Sequence, residues 1–240
     1  KKIDKKKNLK ILNINNTLTK IKNIDLKLNE DFKIRNLSMA IEAAKLCGLK
    51  EKVIFRNLEK LKDVNGRLEL VKRYPNDVKV FIDYAHTPDA LFESLKSLKN
   101  NYGNNISLVF GCGGERDQTK RPIMARIAND NCKKIYITDD NPRNEKPQKI
   151  RNDLLKNISK SRSFNIGNRT LAIKKAILNA DPQEILLIAG KGHEEKQIYK
   201  NKILNISDKQ IVKKIKIKAK IKSIKDQKYL QNRLIINKIL

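Results

Sequence analysis

Four short runs hold the residues whose types and spacing could do chemistry. Asp83-Tyr84-Ala85-His86-Thr87-Pro88 ends in a Thr-Pro pair suited to opening a helix, beside the unpaired N–H groups of its first turn. There Asp83 could accept hydrogen bonds from ribose hydroxyls, and His86 could face phosphate oxygens. A plain N-cap with a packed histidine would use the same residues. Gly111-Cys112-Gly113-Gly114-Glu115-Arg116-Asp117 joins glycines, which let a backbone approach a ligand closely, to Arg116, a planar fork for a carboxylate. A tight turn with a solvated Glu-Arg-Asp cluster is the competing reading. Asp139-Asp140-Asn141-Pro142-Arg143 and Ala189-Gly190-Lys191-Gly192-His193-Glu194 complete the set, and both are also ordinary turn chemistry. The last run is not a Walker A loop, and that spacing occurs nowhere in the chain. Together the runs offer Arg and Asn donors for carboxylates and Asp and Glu acceptors for ammonium groups. That inventory suits a zwitterionic amino acid.

The elements that must position these runs alternate along the chain. Apolar residues at helical spacing predict a helix from 31 to 47, stopped by Gly48, and a second over 51–61. Asn65-Gly66 marks a turn and a domain boundary. Strands are expected at 78–82, 106–110, 134–138, 184–189 and 202–206, with helices at 88–98, 122–131, 147–159 and 169–179. Such alternation predicts an α/β fold: a mainly parallel sheet with helices on both faces. All four runs then fall at strand carboxyl ends, where such sheets carry their sites. Residues 1–30 read as one or two strands separated from a sheet. Residues 213–240 carry ten basic residues and one acidic residue, so a short helix after Ser207-Asp208 is expected to give way to a frayed basic tail.

Composition excludes more than it assigns. The 240 residues carry 54 Lys+Arg against 26 Asp+Glu, a net charge of +28. Lysine is abundant even in the expected core strands and no aromatics interleave a basic stripe, so nucleic acid is not expected as a partner. No apolar run approaches the ~18 residues of a membrane span, and the Lys-rich start lacks the apolar core of a signal peptide. Three scattered cysteines fit reduced thiols in a cytoplasm. They show no metal-ligand spacing, so no metal ligands are expected. Position 1 is Lys and not Met, which suggests a natural start further upstream.

Gly66-Arg67-Leu68-Glu69, the 83–88 run, the 111–117 run with Lys120-Arg121-Pro122, and the 140–143 and 190–194 runs occur in family-like order and spacing. On these residues the chain resembles the C-terminal part of a Mur ligase of the diaminopimelate-adding branch, most densely over 32–212. The resemblance implies a Rossmann-like C-terminal domain at 66–212, a remnant of the central ATP-binding domain at 1–65, and a tail at 213–240. It implies ATP-dependent ligation of meso-2,6-diaminopimelate to UDP-N-acetylmuramoyl-L-alanyl-D-glutamate through an acyl phosphate, with Mg2+, in the cytoplasm and without membrane insertion. Arg116, Asp140, Asn141, Pro142, Arg143, Gly190 and Glu194 would hold diaminopimelate. Asn36, Arg67, Asp83 and His86 would lie next to the nucleotide.

Two departures qualify the match. The family's Phe-Asn-x-x-Asn reads Phe32-Lys33-Ile34-Arg35-Asn36 here. The P-loop, the magnesium-binding acids, the carbamylated lysine and the UDP-binding domain have no counterpart, so no catalytic residue is assigned and the chain is not expected to ligate alone. A hinge is expected near Asn65-Gly66, and apolar surface on the 34–47 helix is expected to be exposed. Diaminopimelate differs from lysine by a second carboxylate, and an unpaired buried Arg143 would cost roughly 3–5 kcal/mol. Two alternatives remain: a folylpolyglutamate-type ligase, and a stand-alone amino-acid-binding module from a truncated gene with a basic tail for an anionic partner.

Overall fold

The computed structural model describes residues 12–24, 31–62 and 64–217. The chain divides into two compact units, Lys1–Asp63 and Val64–Leu240.

The first unit is helical among the described residues. Helices α1 (Asn15–Lys22), α2 (Asp31–Leu46) and α3 (Glu51–Arg56) precede a short 3-10 turn, Leu58–Lys60. The strands expected in 1–30 are corrected at α1: Ile14, Thr17, Leu18 and Ile21 form a stripe at helical spacing, and its inner edge is buried. The remaining residues of that expectation, 1–11 and 25–30, lie outside the described ones. Ile21, Ile41 and Leu58 form a small core, packed by Ile34, Leu37, Ile54 and Phe55. The inward face of α2 is covered, while Met39, Ala40, Ala43, Leu46 and, just after the helix, Cys47 are exposed, so part of the apolar surface expected to be open on the 34–47 segment is open. The expected 51–61 helix breaks at Asn57 into α3 and the 3-10 turn.

The second unit carries the expected α/β fold. Strands β1 (Glu69–Arg73), β2 (Lys79–Asp83), β3 (Ile106–Phe110), β4 (Lys134–Ile137), β5 (Ser163–Asn165) and β6 (Ile185–Ala189) form one sheet. Its order is β1-β2-β6-β3-β4-β5. All neighbours pair in parallel except β1, which runs antiparallel to β2. The central strands are apolar on both faces because helices cover both. α4 (Pro88–Tyr102), α5 (Lys120–Asn131) and α6 (Pro147–Leu155) pack against one another in sequence, with α4 against β3 and β6 and α6 against β4 and β5. On the opposite face α7 (Arg169–Leu178) and α8 (Asp208–Lys214) close over Val80, Ile82, Val109, Tyr136, Leu186 and Ile188.

β1 and β5 are not anticipated by the sequence: both are short edge strands without an apolar run. The expected 202–206 strand exists as β8 (Lys202–Asn205), but it pairs only with β7 (Lys196–Tyr199) in a separate hairpin. The ordered chain also continues past the expected boundary at 213. α8 runs to Lys214, Ile215 and Ile217 pack on the core, and Lys72 Nζ donates to the carbonyls of Lys213 (3.0 Å) and Ile215 (2.6 Å). The rest of the expected tail lies outside the described residues.

Candidate functional site

The four chemically rich runs leave the carboxyl ends of β2, β6, β3 and β4, which are neighbours in the sheet. Close backbone approaches join the turns. A side chain at Gly114 would place its Cβ 1.9 Å from the Pro142 carbonyl oxygen, and Gly114 N–H donates to Asn141 O at 2.9 Å. At Gly190, with φ +110°, a Cβ would lie 2.6 Å from Asp140 Oδ2. The turns after β3, β4 and β6 therefore meet at one point.

Their side chains divide into spent and open groups. Asp140 is buried at 8% exposure, and no side chain among the described residues donates a hydrogen bond to it. Burial pushes its carboxyl up, against the pull of the Arg169 and Lys191 charges, and Glu194 adds to the rise. Asn141 accepts at Oδ1 from the Ile198 N–H (2.9 Å) and donates from Nδ2 to Glu194 Oε2 (3.1 Å). Lys191 is fully buried and donates to Glu194 Oε2 (3.2 Å), Asn141 Oδ1 (3.5 Å) and the Lys196 carbonyl. Burial acts to raise the Glu194 carboxyl, but the Lys191 hydrogen bond and charge, with the Asn141 amide, outweigh it and hold it below its usual range.

Arg143 is half-buried, with φ +54°. Its Nη1 donates to the carbonyls of Gly114 (3.0 Å) and Asn141 (3.2 Å), and it has no carboxylate partner among the described residues. A Cβ at Gly113 would lie 3.0 Å from Arg143 Nη1 and 3.8 Å from Arg116 Cγ, so both arginines flank this glycine. Arg116 is exposed, and its guanidinium has no partner among the described residues.

A buried frame supports these groups. Arg169, 1% exposed at the start of α7, grips Asp208 at the start of α8 through Nε (2.8 Å) and Nη2 (2.7 Å). It also donates to the carbonyls of Ala189 (3.0 Å) and Asp139 (3.5 Å), directly before Gly190 and Asp140. Asp139 is fully engaged: Arg151 takes one oxygen and the Tyr199 hydroxyl the other, at 2.9 Å. Arg121 ties α5 to Glu145 (2.7 Å) and to Asp153 of α6 (3.0 Å).

Of the residues expected beside a nucleotide, Arg67 and His86 pack on Tyr84. The Arg67 guanidinium lies 4.4 Å over its ring, His193 stacks at 5.7 Å, and His86 meets it edge-on at 4.7 Å. Burial raises the Tyr84 hydroxyl pKa, and its hydrogen-bonded neighbour Glu194 adds to the rise. Asp83 does not present an open acceptor: its oxygens take the N–H groups of Leu68 and Ala85, both at 2.6 Å. His86 is exposed, with Nδ1 2.9 Å from the Tyr84 carbonyl. Asn36 is exposed on α2 of the first unit.

Within the second unit the structure thus brings Asp140, Asn141, Pro142, Arg143, Gly190 and Glu194 together, with Arg116 at the edge. Sequence reasoning missed Lys191, Tyr84, Arg169, Gln197 and Tyr199 as site-forming residues. Lys191 and Tyr84 sit inside runs already singled out, and their neighbours could have flagged them. Arg169 carries no local signal, because Asp208 lies far along the chain. Among the described residues no cluster of three His, Cys, Asp or Glu could hold a metal ion, and no helix is long and apolar enough to cross a membrane.

A mainly parallel sheet wrapped by helices, with glycine turns and the Arg143 and Asp140 side chains gathered at one end, defines an α/β domain of Rossmann-like architecture. The model of the Mur ligase glutamate ligase domain matches residues 66–192, more than half of the chain, and the chain belongs to the Mur ligase family. A UDP-N-acetylmuramoyl-L-alanyl-D-glutamate–2,6-diaminopimelate ligase of Buchnera aphidicola subsp. Acyrthosiphon pisum is 45% identical over 75% of this chain and 36% of its own length. The ligase of the same name in Rickettsia montanensis is 39% identical over 88% of this chain and 46% of its own length. A solved ligase of that name superposes with TM-score 0.60 at 36% identity, covering 79% of this chain and 39% of that one. A pseudomurein peptide ligase type C of Methanothermus fervidus shares the fold at TM-score 0.56 and 19% identity, over 70% of this chain and 35% of that one. The chain spans less than half the length of these curated relatives.

Proposed function

We propose that this chain is the amino-acid-binding part of an ATP-dependent ligase that joins meso-2,6-diaminopimelate to UDP-N-acetylmuramoyl-L-alanyl-D-glutamate in the cytoplasm. The observation that carries this reading is Arg143: a half-buried guanidinium anchored by two carbonyls, with no carboxylate of its own among the described residues. A ligand carboxylate completes it, with Arg116 beside it. Arg169 and Lys191 lie among Asp140, Glu194 and Asp208, so the floor holds one carboxylate more than it holds cations. An ammonium group balances that excess at Asp140 and Glu194. A ligand with both charges on one distal centre satisfies both needs, and the names of the curated relatives support diaminopimelate.

ATP and Mg2+ belong to the chemistry of the family. The sequence has no Walker A spacing and the described residues offer no metal-ligand cluster, so no chemical step is assigned to this chain. The residues before Gly66 are assigned to the end of the ATP-binding domain, supported by where the family match begins and where the two units divide. Arg67 and His86 of the second unit are proposed to face the nucleotide; Asp83 would act there by fastening the Leu68 and Ala85 backbone.

Because Arg143 is half-buried and not buried, leaving it unpaired costs less than the sequence suggests, about 2–3 kcal/mol, or roughly 30- to 150-fold in affinity. Calorimetric titration of the chain with meso-diaminopimelate and with L-lysine tests this. The diaminopimelate isomer is expected to bind tighter by that factor, and Arg143→Ala to erase the difference. Equal binding of both amino acids to the native chain would overturn the reading.

A further inference from the structure

The 139–143 turn is held along one side by a strand edge that no motif announces. The Arg143 N–H donates to Ile198 O at 3.0 Å, and Arg143 and Tyr199 form a parallel bridge. In return the Ile198 N–H donates to Asn141 Oδ1 at 2.9 Å. Gln197, 1% exposed, donates from Nε2 to Asp139 O at 3.0 Å, and the Tyr199 hydroxyl donates to Asp139 Oδ2 at 2.9 Å. Lys191 closes the arrangement from the neighbouring turn through the Lys196 carbonyl. Residues 196–199, one strand of an isolated hairpin, thus engage both ends of the turn and its middle.

Two features of the pocket depend on this edge. Arg143 holds φ +54°, a left-handed conformation that a β-carbon disfavours, and its N–H bond to Ile198 O fixes it there. This is the backbone setting from which the guanidinium reaches Gly114 O. The amide of Asn141 is also oriented: its oxygen is spent on Ile198, so its NH2 group faces Glu194. A turn rich in Asp, Asn and Pro has several accessible conformations, and the strand edge selects one.

We propose that β7 is the register element of the pocket, and that Gln197 and Tyr199 are positioning residues that set selectivity for a ligand's second carboxylate through Arg143. The proposal rests on reading Arg143 as the carboxylate fork. Neither residue touches that ligand; both act through Asp139 and the turn that follows it.

Tyr199→Phe removes one hydroxyl at constant ring volume, and Gln197→Met removes the amide at similar length. Each is titrated with meso-diaminopimelate and L-lysine, alongside the thermal midpoint. Loss of one hydrogen bond to a charged partner corresponds to about a tenfold loss in affinity, expected for diaminopimelate with Tyr199→Phe while lysine shifts less than about twofold. A merely structural role would lower both affinities together, and that outcome overturns the proposal, as does no change in either. Amide hydrogen exchange of the ligand-free chain gives a separate readout. Both variants are expected to speed exchange at Asn141 and Arg143 while β6 is unchanged. Unaltered exchange at those amides refutes the register role whatever the native chain binds. A native chain without a diaminopimelate preference refutes the pocket reading, and the exchange measurement still decides the role of β7.

Discussion

Breaking the Arg169–Asp208 pair is expected to separate stability from ligand positioning. Both side chains are fully buried, and Arg169 links the start of α8 to the carbonyls of Ala189 and Asp139. Arg169→Met leaves the Asp208 carboxylate buried without its partner, at a cost of about 3–5 kcal/mol. For a domain of this size that lowers the thermal midpoint by roughly 10–15 °C. Adding Asp208→Leu removes the stranded charge, and apolar replacement of a buried pair is often close to neutral. The carbonyl of Ala189 still lacks its donor, so about 1–3 kcal/mol of the loss should remain. The Asp139 carbonyl keeps Gln197. The double variant is therefore expected to melt well above the single one while diaminopimelate affinity stays low in both, because neither fixes the backbone before Gly190 and Asp140. Thermal unfolding by circular dichroism and calorimetric titration of native, single and double variants measure the two quantities. A double variant no more stable than the single one would refute the charge argument. Full recovery of affinity in the double variant would refute the positioning argument.

Other perturbations have equally direct readouts. Gly114→Ala drives a methyl group onto the Pro142 carbonyl, so the two turns must separate; about 1–3 kcal/mol of stability should be lost in denaturant titration, together with ligand affinity. Burial holds the Asp140 carboxyl above its unfolded value, so its contribution to stability is full below that value and lost as pH rises through the folded one. Asp140→Asn should therefore stabilise the unit at pH 7, with the gain vanishing below about pH 4, and should weaken amino-acid binding; stability curves at both pH values check the sign. Cys112 and Cys132 are buried, with burial pushing the Cys112 thiol up to about 12, whereas Cys47 is exposed. A thiol-reactive dye on the folded chain should modify one cysteine rapidly and the other two only on unfolding.

Much of this molecule was determined by local sequence. Strands of β-branched residues alternating with helices of nine or more residues force a parallel sheet, and a parallel sheet collects its strand-to-helix turns at one end. That rule alone brings the turns after β2, β3, β4 and β6 together, and the residue types in them suit groups of both signs of charge. Pro88 behind Thr87 and Gly48 after α2 mark helix ends for reasons confined to a few residues. What only the tertiary structure decided is which polar groups remain open. Asp83, Asp139 and Asp140 look alike in sequence, yet Asp83 is spent on two backbone N–H groups and Asp139 on Arg151 and Tyr199. Asp140, unlike Asp139, takes no side-chain donor among the described residues, although it is as deeply buried. Residues 12–24 show the same limit, since a polar segment with weak periodicity takes its conformation from what it packs against, here Ile41 and Leu58. The edge strands β1, β5 and β7 are invisible for a related reason. An edge strand is made by the hydrogen bonds its neighbour leaves unpaired, and those partners are set by the folded sheet and turns rather than by the strand's own residues.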